Sequence, residues 1–259
     1  MKKYRIILLS GLIIVFSGFA ANPGYQEEYR NNVKLGRAKS LRTKIEFAVG
    51  NLNVHTCSEF LSQGIYSYRR DTWRPEISYN DGSETGYLNI KNIDDRHQFE
   101  YDDSDKTVWD ISLNDKVPNE VSISMTAGVA NINFQNSNLR RFEFEMAAGE
   151  SNINLRNTSV PYISFKAIAG EAELDLSGRW KNDLEATIKG GVGELTIILP
   201  PDIGVKMDIT GILGDVDAPQ FHEDDNSYTN DLYGRTGASL YLDITGGIGD
   251  INVETTRIY

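Results

Sequence analysis

The stretch TAGVANINF at residues 126–134 has the pattern of one β-strand, and close variants follow it along the chain: AAGESNINL (147–155), IAGEAELDL (168–176) and GGVGELTII (190–198). The small residue before the second part of each copy recurs every 21 residues, and once more after 35, at Ala130, Ser151, Ala172, Gly193, Gly214 and Gly249. A fixed period of this length is the signature of a repeat architecture. The additional residues, 219–237, are polar and indicate a loop inserted in one copy.

Within each copy, apolar and polar residues alternate, which predicts a strand with one buried face. The alternation slips by one residue at Gly128 and Val129. Glycine reaches positive φ without steric cost, so we expect a sharp corner there and at the equivalent glycines. On the 21-residue alignment these are Gly149, Gly170, Gly191 and Gly247, and Ile212 is the one departure.

Stacked copies would bury matching columns of side chains, one of which is Ile132, Ile153, Leu174, Leu195, Val216 and Ile251. This predicts an all-β fold: a β-solenoid of two-strand rungs of about 21 residues in which each rung pairs in parallel with the next. An antiparallel β-sandwich also has alternating strands, but it has no reason to keep a fixed period.

The chain divides into four segments on this interpretation. Residues 116–259 form the repeat solenoid, and the irregular, aromatic-rich residues 42–115 form an N-terminal β cap, in which Gly50 and Gly86 are placed like Ala130. Residues 21–41 are polar and could be a tether or a short helix. Residues 1–20 begin with positive charges, continue with an apolar run and end in small residues, which is the layout of a secretory signal peptide.

Charge and cysteine content narrow the setting of the protein. The formal net charge is −11, and loss of Lys2, Lys3 and Arg5 with the signal peptide would change it to −14. Such a field repels nucleic acid. Cys57 is the only cysteine, so no intrachain disulfide can form. We expect a secreted, periplasmic or cell-surface protein with no transmembrane span in the mature chain.

Candidate catalytic and metal-ligating residues are sparse. His55, His97 and His222 match no metal-ligand spacing. His55 and Cys57 alternate on one strand, and a packed thiol is the interpretation we prefer. The acidic stretches 101–110 and 221–231 lack the spacing of an EF-hand and predict solvated loops.

The predicted stack aligns acidic residues on its outside. One column reads Asn131, Asn152, Glu173, Glu194, Asp215, Asp250, and the next reads Asn133, Asn154, Asp175, Thr196, Asp217, Asn252. Carboxylates about 4.8 Å apart repel one another and attract divalent cations, so weak Ca²⁺ binding is one hypothesis and a solvated acidic face is the other. A polysaccharide lyase would also need a basic residue beside the acids, and these columns contain none.

The phrases KIEFAVGNLNV, WRPEISY with GYLNIKN, WDISLNDKVPNEVSISMTAGVANINF, AGE and GVGELTI resemble the toast-rack family of bacterial envelope proteins, which is related to the C-terminal domain of LiaF-type stress regulators. The resemblance covers about residues 42–259. It implies a stacked β fold, an extracytoplasmic or membrane-associated setting and no catalytic motif. We expect a non-enzymatic structural, adhesion or protein-interaction role, with glycan or Ca²⁺ binding as the alternative and a lyase-like enzyme as the third possibility.

Overall fold

The computed structural model describes residues 26–69, 75–82, 84–92 and 107–256, and the predicted signal peptide lies outside them. The regular secondary structure of these described residues consists of β-strands alone, and the strands together form one 16-stranded sheet. The strands are β1 Gln26–Val33, β2 Ser40–Cys57, β3 Ser62–Arg69, β4 Pro75–Asn80, β5 Thr85–Asn92, β6 Val108–Asn114, β7 Asn119–Asn133, β8 Leu139–Asn154, β9 Tyr162–Asp175, β10 Leu184–Leu199, β11 Gly204–Thr210, β12 Val216–Asp217, β13 His222–Asp224, β14 Ser227–Thr229, β15 Ser239–Thr245 and β16 Ile251–Thr255.

Five long strands form the centre of the fold, in the order β2, β7, β8, β9, β10, and neighbours pair in parallel. Each strand is one layer of a stack. Ile132 pairs with Ile153, and Ile153 pairs with Leu174, and all three side chains are buried. The parallel stack is therefore confirmed, as are the first three members of the predicted core column, and an antiparallel sandwich is wrong. The strand pairing leaves the sheet open, so it does not show a closed solenoid coil.

In the four layers β7 to β10, the corner is a glycine with positive φ. Gly128, Gly149, Gly170 and Gly193 have φ values of 125°, 127°, 123° and 137°, and they pair in succession along the stack. A β-carbon on Gly170 would collide with the carbonyl oxygen of Gly149, because the corners of adjacent layers touch through backbone alone. Glycine is therefore required twice over, by conformation and by space.

The predicted 21-residue period holds from β7 to β9 but is wrong between β9 and β10. There the spacing is 23 residues, since Gly170 pairs with Gly193 and Leu174 pairs with Ile197. The two additional residues lie in the connection after Asp175, where the Trp180 indole N–H donates to the Leu176 carbonyl at 2.7 Å. The corners predicted at Gly191 and Gly247 are consequently two residues early, and the true positions are Gly193 and Gly249.

The two ends of the stack do not follow chain order. β5 and β6 pair with the two halves of β2 and form one further layer outside it. At the other end, β15 and β16 pair with β10, and β11 and β12 pair outside them. Ile251 therefore lies between Leu195 and Val216, although Val216 precedes it in the chain. The outermost layer at each end is internal to the sequence.

The N-terminal cap is smaller than predicted. β2 is a complete layer of the stack, with Gly50 paired with Gly128, and Gly86 pairs with Leu41 away from any corner, so both glycines were misplaced. Tyr66, Trp109 and Phe47 fill the core at this end, with the Tyr66 ring edge-on to Trp109 at 5.4 Å. Tyr66 and Trp109, two aromatic residues of the predicted cap, are therefore core residues.

The outermost layers consist of β5 and β6 at one end and of β11 and β12 at the other, and antiparallel strands pair with three of these four strands. β4 pairs with β5, β3 and then β1 extend β6, and the β13–β14 hairpin covers β11. Residues 26–33, within the segment predicted as a tether or short helix, form strand β1, and residues 222–229, within the stretch predicted as a solvated loop, form the β13–β14 hairpin. Both segments are polar, and polar side chains on an edge strand resist pairing with other chains.

Candidate functional surface

Beyond each corner glycine, the second half of every layer alternates buried and outward side chains. In β7, Ala130 and Ile132 are buried while Asn131 and Asn133 point outward. We call the surface formed by these outward side chains the outer face. Since the strands are parallel and in register, its side chains align in columns that cross the layers.

The first outward residue after the corner is acidic in five consecutive layers. These residues, which we call the acidic column, are Glu150, Glu171, Glu194, Asp250 and Asp215. All five are exposed. Among the described residues no Lys or Arg forms an ion pair with any of them, whereas Glu145 and Glu143, before the corner, bind Lys166 and Arg141 at 2.6 Å.

The hydrogen bonds to the acidic column come from neutral donors. The Asn152 amide donates to Glu150 at 2.9 Å, and the Asn252 amide donates to Glu194 at 2.6 Å. The backbone N–H of Asp215 donates to Asp250 at 3.0 Å. Like charges on directly neighbouring strands destabilise a sheet, so this column carries an electrostatic cost that the fold does not offset with basic side chains.

The predicted acidic ladder is only partly assembled. Glu194, Asp215 and Asp250 share the acidic column, but Glu173 and Asp217 lie one column further on, separated by Thr196 and Asn252. The difference arises from the two-residue change of period at β10. Glu150 and Glu171 complete the true column, and aligning the sequence on the corner glycine would have found them in the phrases AGE, AGE, VGE, IGD and LGD.

The Asp175 carboxylate is buried and contributes to the structure of the turn after β9 rather than to the exposed surface. It is 6% exposed, accepts a hydrogen bond from the Ser177 backbone N–H at 2.8 Å and binds the Arg156 guanidinium at 2.7 Å. In the described part of the chain, no group of three or more His, Cys, Asp or Glu residues is arranged to hold a metal ion. Weak Ca²⁺ binding stays a prediction, and calorimetric titration with millimolar CaCl₂ tests it.

A column of amides lies beside the acidic column at the N-terminal end of the stack. The Asn131 amide donates to Asn53 at 3.2 Å, and the Asn152 amide donates to Asn131 at 3.3 Å. In the next column, the side-chain oxygens of Asn133 and Asn154 accept the backbone N–H groups of Gln135 and Arg156. This leaves the two carboxamide nitrogens without a protein acceptor among the described residues.

These two columns border a shallow polar groove of about 350 Å³ across β2, β7, β8 and β9. Its polar lining consists of Asn53, His55, Asn131, Asn133, Asn152, Asn154, Glu173 and Asp175. Carboxamides supply both donors and acceptors, so the groove suits a neutral, hydroxyl-rich ligand better than a metal ion.

His55 belongs to a constellation that the sequence did not suggest. Its Nε2 lies 2.8 Å from Ser112 Oγ, and its Nδ1 lies 3.5 Å from Asp110. These are the residue types of a hydrolytic triad, but Ser112 lies within β6, between β2 and β3. Pairing on both sides uses the backbone N–H groups that an oxyanion hole needs.

Cys57 is only partly buried. Its Sγ is 3.5 Å from the Phe60 carbonyl oxygen, and burial raises the pKa of the thiol. A raised pKa lowers the thiolate fraction at neutral pH, and the thiolate is the nucleophilic form.

The chain matches the family model described as the N-terminal domain of toast_rack, DUF2154, over residues 22–161 and again over 142–198. These ranges together span more than half of the sequence. The chain belongs to the toast-rack family. No protein of curated function matches it.

Solved structures resemble the toast-rack chain over most of its length. The crystal structure of a "putative cell adhesion protein" from Clostridium sporogenes is 28% identical, with a TM-score of 0.67, and the match covers 90% of this chain and 100% of that one. A "putative adhesin" from Bacteroides fragilis is 11% identical with a TM-score of 0.30, over 87% and 97% of the two chains, which is too weak to support an argument. Among the residues described for the toast-rack chain, no helix is long and apolar enough to cross a membrane.

Proposed function

We propose that this chain is a non-enzymatic envelope protein, located outside the cytoplasm, that acts in adhesion or in binding another envelope component through its outer face. The main support for this proposal is the outer face. Its side chains are aligned in columns by the parallel pairing of β2, β7, β8, β9 and β10. Stacked layers resist bending and present the same chemistry repeatedly, which suits an extended binding surface. We interpret this stack as the solenoid that the repeat predicts.

Two further observations support the proposal. The signal-peptide pattern at residues 1–20 indicates export. The similarity to the Clostridium sporogenes structure, which is described as a "putative cell adhesion protein", supports the same kind of role.

An attachment assay tests this function. We call residues 21–259, the chain without the proposed signal peptide, the exported chain. Immobilised on beads, it is expected to retain envelope fragments of the producing bacterium. The double variant Asn131→Ala, Asn152→Ala on the outer face should reduce retention. The matched control Ser122→Ala, Glu143→Ala changes directly paired positions of the same two strands before the corner, and it should retain fragments like the unmodified chain. Equal retention by both variants would show that the amide columns are not the binding surface.

The polar groove favours glycan as a second candidate ligand. Free carboxamide nitrogens at Asn133 and Asn154 can donate to sugar hydroxyls, and Glu173 can accept from them. A glycan array probed with the exported chain should then show signals that Asn133→Ala and Asn154→Ala weaken. An array without signal would leave a protein as the component bound.

The non-enzymatic part of the proposal is tested at Ser112. A fluorophosphonate probe labels serine residues activated by a neighbouring histidine, and we expect no labelling of the exported chain. Labelling that disappears in Ser112→Ala would mean that the contact between Ser112 and His55 is catalytic.

A further inference from the structure

The corner of the stack carries a row of exposed apolar side chains, which we call the corner ridge. The residue before each corner glycine is apolar in the same five layers that carry the acidic column. In spatial order along the stack these residues are Ala148, Ala169, Val192, Ile248 and Leu213. The side chains therefore grow in size towards the C-terminal end of the stack.

The largest members of the ridge are also the most exposed. Val192 is 56% exposed, Ile248 is 58% exposed and Leu213 is 73% exposed, and they are neighbours in three successive layers. Single exposed apolar residues are ordinary, but a contiguous exposed row on a soluble protein marks an interaction surface.

The acidic column runs parallel to this row, two residues further along each strand. Each of these five layers thus presents an apolar residue, a glycine and a carboxylate in sequence, as in Val192, Gly193 and Glu194. Neighbouring layers are about 4.8 Å apart, so the two columns, which lie on either side of the corner glycines, form a strip about 19 Å long over five layers. A partner must offer apolar side chains to one column and positive charge to the other.

We propose that the corner ridge and the acidic column together dock a basic amphipathic helix of another envelope protein. One turn of an α-helix rises 5.4 Å, close to the layer spacing, whereas the two-residue repeat of an extended strand, about 6.7 Å, falls out of step. A helix of about 10 Å diameter covers both columns, and four turns span the strip. Apolar residues of the helix contact Val192, Ile248 and Leu213, and its Lys or Arg residues pair with the carboxylates.

A second copy of this chain is the less suitable occupant. Copies meeting at the ridge would bring acidic columns together, and the chain as a whole has a net charge of −11. Like charges brought together at an interface oppose association. The proposal rests on the interaction role proposed above and adds to it a surface distinct from the amide columns, so the attachment assay and the following experiment can fail separately.

Fluorescence anisotropy with a designed probe tests the docking strip. The probe is a fluorescein-labelled 14-residue Leu/Lys peptide with a helical period of apolar residues, and its control is a scrambled peptide of the same composition. We expect the patterned peptide to bind the exported chain about tenfold more tightly than the scrambled one, because only it places Leu and Lys on adjacent stripes.

Two variants, each with a matched control, separate the apolar contribution to peptide binding from the electrostatic one. The variant Ile248→Ser, Leu213→Ser should weaken binding about fivefold or more through lost apolar contact. The variant Glu171→Gln, Glu194→Gln should weaken it and make it less dependent on salt. Leu35→Ser, at a residue 50% exposed elsewhere, and Glu145→Gln before the corner should change nothing.

Equal binding of patterned and scrambled peptides would overturn the proposal, as would full binding by the Ile248→Ser, Leu213→Ser variant. Sedimentation provides the other decisive outcome. A dimer of the free chain that dissociates in this variant would identify a second copy as the occupant.

Discussion

A β-carbon on Gly170 would clash with the carbonyl oxygen of Gly149 in the adjacent layer. We expect Gly170→Ala to lower the free energy of unfolding by about 1–3 kcal/mol, because φ at this residue is 123° and the added carbon collides with backbone. Urea denaturation measures the change.

Gly190→Ala is the matched control for this substitution. A β-carbon there would find its nearest atoms 4.0 Å away, beside a cavity of about 30 Å³. Gly190 is not among the residues with positive φ, so alanine should raise the free energy of unfolding by about 0.4–1 kcal/mol through reduced freedom of the unfolded chain. Equal effects of the two substitutions would argue against the corner geometry.

Charge repulsion in the acidic column predicts a stabilising substitution. Glu171 lies between Glu150 and Glu194, so Glu171→Gln should raise the free energy of unfolding by about 0.2–1 kcal/mol at low salt. The gain should shrink in 1 M NaCl, where charges are screened over about 3 Å. Glu145→Gln, which removes the partner of Lys166, should bring no gain. A stability increase in the control alone would show that the column is not repulsive.

The contact between Asp175 and Arg156 is expected to stabilise the turn after β9. Asp175→Asn removes the charge from a nearly buried pair and should cost about 1–3 kcal/mol, discounted because Arg156 retains 27% of its side-chain exposure. Asp217→Asn, at an exposed position, should stay within about 0.5 kcal/mol of the unmodified chain. Thermal unfolding followed by circular dichroism compares the two, and equal melting temperatures would contradict the expectation.

Stability should fall in strongly alkaline solution. The Tyr241 hydroxyl donates to Asp208 at 2.8 Å, and this hydrogen bond, with burial, raises the pKa of Tyr241 to about 12. A folded-state pKa above the unfolded value of about 10 means that the contribution is complete below pH 10 and is lost as pH rises towards 12. Urea denaturation at pH 9 and pH 11.5 should show a smaller loss for Tyr241→Phe than for the unmodified chain, and an equal or larger loss would contradict this assignment.

The repeat itself was readable from the sequence, since alternation and period are local properties. Ile132, Ile153 and Leu174 stack as predicted because the same spacing generates the same core column in each layer. The register beyond β9 was not readable from a fixed period. The two additional residues in the connection containing Trp180 cost little in a turn, yet they move every column of β10 by one outward position.

The order of the terminal layers also could not be predicted from local sequence patterns. β16 comes after β12 in the chain but lies between β10 and β12 in the sheet. The alternation of apolar and polar residues predicts which face of a strand is buried, but it does not predict the order of strands in the sheet. The acidic column was hidden for a related reason. The apolar, glycine, acidic triplet is visible at Val192, Gly193 and Glu194, but it gains meaning only when layers are aligned on the glycine.

Disulfide cross-linking tests the alignment of the corner columns most directly, with Cys57→Ser as the background. Directly paired positions on neighbouring strands are about 4.8 Å apart, which is within the range that a disulfide bridges. The pair Glu171→Cys, Glu194→Cys should oxidise rapidly, because these residues are direct partners. Rapid oxidation of Glu173→Cys with Glu194→Cys instead, as the unbroken 21-residue period requires, would contradict the acidic column and the docking strip built on it.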